Sequence, residues 1–205
     1  MVKIIIIGTS HISPSSVKKV KETILKEKPD CVAVELCKQR FYSLTNPSKP
    51  KDPIFRILST IQKELGKSTG VFPGSEMLTA IETGQSINSK IAFIDKPIQQ
   101  IAYEINVLPL STKLRLVYDS IAGFIIAKAT NFDLKNIPHE RTINQALKEM
   151  KKSYPSLYKI LITSRNTTMI KKIKFIEKNI KPKKIIVIVG AGHKKALEKG
   201  LKKKK

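Results

Sequence analysis

Tryptophan is absent from this 205-residue chain, aromatic residues make up only 6% of it, and there are just two cysteines and three histidines. So few aromatics leave no series of stacking platforms of the kind a single-strand nucleic-acid surface uses. The two cysteines, Cys31 and Cys37, flank a predicted strand and cannot make a zinc site without further ligands. Such cysteine usage points to a reducing, cytoplasmic setting. No apolar run reaches the roughly 18 residues of a membrane span. The longest candidate, Ile121–Ala127, is closed by Asp119 and Lys128. At the N-terminus, Ile4–Ile7 leads at once into Gly8 and His11, with no long apolar region or small-residue cleavage site. It therefore predicts a strand and not a signal peptide.

Acidic residues are scarce as well: 16 Asp and Glu stand against 39 Lys and Arg, a formal net charge of +23. The lysines lie along predicted helix faces and concentrate in Lys171–Lys184 and Lys194–Lys205. They read mainly as a solvated face with a disordered basic tail, residues 202–205. Weak contact with nucleic acid or an anionic membrane, and a peripheral location on that membrane, are the partner classes this charge admits.

What is present is ordinary globular material: 41% of the residues are hydrophobic, and the length suits one domain, residues 1–201. Val2–Ile7 is a β-branched run of the kind buried on both faces in a parallel sheet. Val17, Val20, Ile24 and Leu25 carry helical spacing over Ser16–Lys28, and Cys31–Leu36 is a second strand, giving a βαβ unit with an expected right-handed crossover. A loop at Asn46–Asp52 precedes a helix over Ile54–Leu65. After a turn at Gly70–Gly74 come a helix over Glu76–Thr83 and a strand over Lys90–Ile94. Helices follow at Ile98–Val107, at Ser111–Ala129 with Ser111 as N-cap, and at Thr142–Lys152. Tyr158–Ile162 is β-like or else begins the Arg165–Lys178 helix. Ile185–Val189 is a last buried strand, followed by a final helix. The expected fold is α/β, a mostly parallel sheet with helices on both faces.

Ligands of such sheets bind beyond the carboxyl ends of the strands. The polar residues there are His11 after the first strand, Glu35 at the end of the second, Asp95 after the third and His193 after the last. Gly8 and Gly190 each stand three residues before a histidine, and Gly192 lies between; a single Gly-x-x-His means little, but two at matched strand ends mark a site. Gly190-Ala191-Gly192 also admits a phosphate loop at a helix N-terminus, but Gly8-Thr9-Ser10 lacks the Gly-x-Gly-x-x-Gly spacing of a dinucleotide site. Glu35, a carboxylate in a buried strand, needs a cation, a metal or strong donors, and Arg40 and Arg165 are its candidate structural partners. His139 reads as a surface residue.

The order Gly8-Thr9-Ser10-His11-Ile12-Ser13, then Pro29-Asp30-Cys31-Val32-Ala33-Val34-Glu35-Leu36-Cys37 with Arg40, then Val189-Gly190-Ala191-Gly192-His193 resembles the TraB/PrgY/Tiki superfamily. Pro73-Gly74-Ser75-Glu76-Met77, Ile94-Asp95-Lys96-Pro97 and the stretch from Thr163 to Met169 extend the resemblance over most of the chain. It implies a fold of the erythromycin-esterase and ChaN-like type, with both Gly-x-x-His motifs, Glu35 and Arg165 in the site. Tiki members are divalent-metal-dependent proteases, and PrgY and TraB relatives suppress peptide pheromone signals. Two departures stand out: Asp95-Lys96 where relatives carry Asp-Arg, and Ser164-Arg165-Asn166 where they carry Glu-Arg-Asp.

The resulting expectation is a metal-dependent peptide hydrolase. His11, His193 and Glu35 would bind manganese, cobalt or zinc, Glu35 serving as ligand or base, and Arg165 would steady the oxyanion. Glu76 and Asp95 are additional ligands or orienting partners. The alternatives are a metal-free hydrolase using the same residues, a non-catalytic peptide- or haem-binding protein, and nucleic-acid binding through the lysines.

Overall fold

A computed structural model of the chain describes residues 2–9, 14–46, 74–116, 118–119 and 140–202. The expected helix over Ile54–Leu65, most of the turn before Gly74, the second half of the Ser111–Ala129 helix, His11, His139 and residues 203–205 lie outside them.

The β-branched runs form four parallel strands: β1 (Lys3–Thr9), β2 (Cys31–Val34), β3 (Lys90–Phe93) and β4 (Lys184–Gly190), in the order β1-β4-β2-β3. The last strand in sequence thus lies inside the sheet, between the first two. Among the described residues the strands are accompanied by the α-helices α1 (Pro14–Glu27), α2 (Lys38–Thr45), α3 (Ser75–Ser86), α4 (Ile98–Asn106), α5 (Glu140–Ser153), α6 (Pro155–Tyr158), α7 (Ser164–Asn179) and α8 (Ala191–Leu201), and by a helical stretch over residues 110–116.

Strand side chains alternate between two faces. Ile7, Val32, Val34, Ile186 and Ile188 meet Val20 and Ile24 of α1 and Met77, Ala80 and Ile81 of α3. On the other face Cys31, Ala33, Ile185, Val187 and Val189 meet Met169, Ile173 and Ile176 of α7 and Leu197 of α8. Helices therefore cover both faces, as expected of a parallel sheet. Both cysteines are free and buried, and burial pushes the Cys31 thiol up to about 11. No helix among the described residues is long and apolar enough to cross a membrane.

Three local features differ from the sequence expectation or refine it. Tyr158–Ile162 is helical and not β-like: α6 continues through a π-helical turn, Lys159–Thr163, into α7. Alternating Ile and Leu fit a strand on paper, but Ile160 packs on Ile101 and Leu108, which fixes a helical face instead. Ser111 lies within a helix already begun at residue 110, because Pro109 precedes it and accepts the Lys113 N–H at 3.1 Å. Gly74, at the head of α3, has φ +98°, a conformation that favours glycine.

Candidate functional site

Parallel strands deliver their carboxyl ends to one edge of the sheet. β1 and β4 run side by side with Gly8 opposite Val189 and Thr9 opposite Gly190, so the two Gly-x-x-His motifs start next to each other, staggered by one residue. Glu35 continues β2 by donating its N–H to Ile188 O at 3.0 Å, and Asp95 follows β3, its N–H on Leu36 O at 3.2 Å. Both carboxylates are buried. Gly190, the N-cap of α8, donates its N–H to Glu35 Oε2 at 2.6 Å, which sets the negative charge at a helix N-terminus.

The compensating cation comes from the first turn of α7. Arg165 donates Nε–H to Asp95 Oδ1 at 2.9 Å and Nη2–H to Asp95 Oδ2 at 2.7 Å, a two-point clamp, and Nη2 also donates to Glu35 Oε1. Burial alone would push this guanidinium down, but the hydrogen bonds to Asp95 and the charges of Glu35 and Asp95 outweigh it, and its pKa is raised. The preceding π-turn aims it: π-turns loosen the carbonyl ladder, and here side chains take up the carbonyls, Ser164 Oγ–H on Ile160 O at 2.9 Å and Arg165 Nη1–H on Leu161 O at 3.4 Å.

His193, in the first turn of α8, is 4% exposed. Its Nδ1 lies 2.7 Å from Asn166 Oδ1, so Nδ1 carries the proton and Nε2 the lone pair of the neutral ring. Nε2 is 3.4 Å from Glu35 Oε1. In the imidazolium form this contact is an ion pair.

Around this cluster Lys96 Nζ meets both oxygens of Glu104 at 2.6 Å and donates to Ser164 Oγ at 3.2 Å. Lys172 Nζ holds the carbonyls of Phe93 and Asp95 at 3.3 and 2.6 Å. The two departures from the resembled pattern therefore meet in space: Lys96 and Ser164 touch, and Asn166 orients His193.

Of the residues singled out in the sequence, Glu35, Asp95, Arg165 and His193 are brought together. Glu35 pairs with Arg165, the second of its two candidate partners. Glu76, buried at the start of α3, reaches the end of β1, where Thr9, the residue opposite Gly190, donates Oγ1–H to its Oε1 at 3.5 Å. His11 is outside the described residues. Among the glycines, Gly8 allows close packing: a Cβ there would lie 3.3 Å from Ala191 Cα and 3.1 Å from Lys194 Cδ. Gly190 has φ −59°, which any residue adopts. Asn166 and Lys96 show in the sequence only as departures from the resembled pattern; the hold of Asn166 on His193 and the pairing of Lys96 with Glu104 carry no sequence signal.

Among the described residues, which do not include His11, a divalent ion finds part of a site. His193 Nε2 and Glu35 Oε1 are suitable donor types, but Oε1 already accepts from Arg165. No group of three or more His, Cys, Asp or Glu placed to hold a metal occurs among the described residues. They fall short of the three protein ligands of a catalytic zinc-type centre.

Comparison with known proteins places this geometry in context. Residues 2–204 match the model of the TraB/PrgY/gumN family. The chain is 30% identical, over 98% of its own length and 53% of the relative's, to the uncharacterized protein MJ1365 of Methanocaldococcus jannaschii. It is 21% identical to the TraB domain-containing protein of Bos taurus and 20% to that of Homo sapiens, in each case over 96% of this chain and 62% of the relative. The chain thus spans less than two thirds of the length of each of these relatives.

Proposed function

The chain belongs to the TraB/PrgY/gumN family, and on that premise we propose that its strand-end cluster is a hydrolytic site acting on a peptide, on a fold of the erythromycin-esterase and ChaN-like type. One observation carries this reading. Four ionisable side chains from four separate segments, Glu35, Asp95, Arg165 and His193, converge at the carboxyl edge of a parallel sheet, where such sheets bind ligands.

The roles follow from the hydrogen bonds. Asn166 fixes the ring of His193 so that Nε2 accepts a proton from an attacking water, and Glu35 stabilises the imidazolium that results. The imidazolium then returns the proton to the leaving amine. Glu35 itself has both oxygens engaged, by Arg165 and by Gly190, and is better suited to holding a cation than to shuttling a proton. Arg165 orders the two carboxylates, and its second Nη1 hydrogen is available to a developing oxyanion. Chemistry in which manganese, cobalt or zinc is bound by His11, His193 and Glu35 is the family-derived alternative.

The test uses the full chain with a pool of quenched fluorescent peptides, before and after chelation, with metal content read on the same sample. We expect cleavage that falls at least about 100-fold in His193→Ala and in Glu35→Gln. Cleavage that survives both substitutions sinks the proposal, and saturable binding without product turns the site into a peptide-binding one. Activity that is lost on chelation and restored by one metal equivalent per chain assigns the cation role to a metal.

A further inference from the structure

α7 and α8 pack side by side on one face of the sheet, their inner sides buried through Met169, Ile173, Ile176 and Leu197. Their outer sides are cationic. Lys171, Lys174 and Lys178 of α7 recur at positions i, i+3 and i+7 and are exposed, as are Lys199 near the end of α8 and Lys202 at its C-cap. Phe175 lies within the α7 stripe with 64% of its surface exposed. Beside α8, a cleft of about 540 Å³ runs along β1, lined by Val2, Ile4, Ile6 and Leu201 together with Glu177, Glu198 and Lys202.

We propose that this face docks on an anionic lipid bilayer. Two helices laid flat on a sheet make a broad surface and not a protruding recognition helix, and the stripe carries lysine without the arginine or asparagine that reads base edges. An exposed phenylalanine among lysines is the composition of an interfacial helix, where the ring enters the acyl boundary and the ammonium groups meet the headgroups. Both helices run from the strand-end crevice to the opposite edge of the sheet, and Lys178, Lys199 and Lys202 lie near their far ends. Docking there leaves the Glu35–Arg165 crevice open.

Each lysine held near an anionic membrane changes partition about fivefold. The full chain is cosedimented with vesicles of phosphatidylcholine containing 30 mol% phosphatidylserine, and with pure phosphatidylcholine, at about 0.1 M salt; a duplex DNA oligonucleotide is titrated in parallel. Partition into the anionic vesicles should fall about 100-fold in Lys171→Ser/Lys174→Ser/Lys178→Ser and about tenfold in Phe175→Ser. The equal-charge control Lys18→Ser/Lys19→Ser/Lys26→Ser, on α1 across the sheet, should retain most of it, and circular dichroism shows that each variant is folded. Equal losses in both triple variants would assign the effect to net charge and overturn the proposal. So would an absence of preference for the anionic vesicles, or DNA binding that loses affinity in the α7 triple variant while vesicles are not bound.

Discussion

Arg165 joins Glu35 and Asp95, and without it the two buried carboxylates lose the guanidinium that binds them both. Breaking a buried ionic cluster by deleting one member costs about 3–5 kcal/mol. Arg165→Met should therefore lower the urea-unfolding stability by about that amount. Neutralising the carboxylates as well, in Glu35→Gln/Asp95→Asn/Arg165→Met, should recover much of the loss, because the uncompensated charge is gone. An Arg165→Met cost below about 1 kcal/mol would show that the carboxylates do not depend on the clamp. At this scale the site was half legible from sequence. Glu35, Asp95 and His193 stand out because a polar residue directly after an apolar strand has few reasons to be there. Asn166 shows only as a departure from the resembled pattern, because its value lies in the ring it faces, 27 positions along the chain. Ser164 and Lys96 were visible only as substitutions for expected residues, and their mutual contact depends on how α7 meets the end of β3.

At the scale of elements, the strands were legible because β-branched runs between Gly, Pro and Asp have one good reading, whereas Tyr158–Ile162 was ambiguous until Ile160 found its apolar neighbours. Helix packing was not legible at all, and Gly84 shows why. It lies inside α3, where sequence alone reads glycine as a weak point about 1 kcal/mol poorer than alanine. In the fold a Cβ at this position would come within 2.8 Å of Ile91 Cδ1 and 3.0 Å of Val32 Cγ2. The isoleucine tip can turn away, but Val32 is β-branched, fully buried and fixed in the central part of the sheet. Overpacking of this kind costs about 1–3 kcal/mol, which exceeds the propensity gain. Gly84→Ala should accordingly destabilise the protein by about 1 kcal/mol in equilibrium unfolding, and a stabilised variant would mean that α3 lies farther from the sheet than described.

For the molecule as a whole, composition and strand pattern were enough to expect one α/β domain, but not the strand order, since nothing local tells the last strand to enter between the first and second. That insertion makes folding depend on the C-terminal segment. β4 bonds to β1 along its whole length, from Lys3 opposite Lys184 to Thr9 opposite Gly190, and to β2 on its other side from Cys31 opposite Ile185 to Val34 opposite Ile188. It also supplies Ile186 and Ile188 to one core and Ile185, Val187 and Val189 to the other. A chain ending at Asn179 leaves β1 with no neighbour in the four-stranded sheet and both cores without their middle row. It should show no cooperative unfolding transition by circular dichroism, while removal of residues 203–205 alone should change stability by less than about 0.5 kcal/mol. A cooperative transition in the longer truncation would mean that β1 and β2 can pair directly, and that the side-by-side placement of the two Gly-x-x-His motifs is not what organises the sheet.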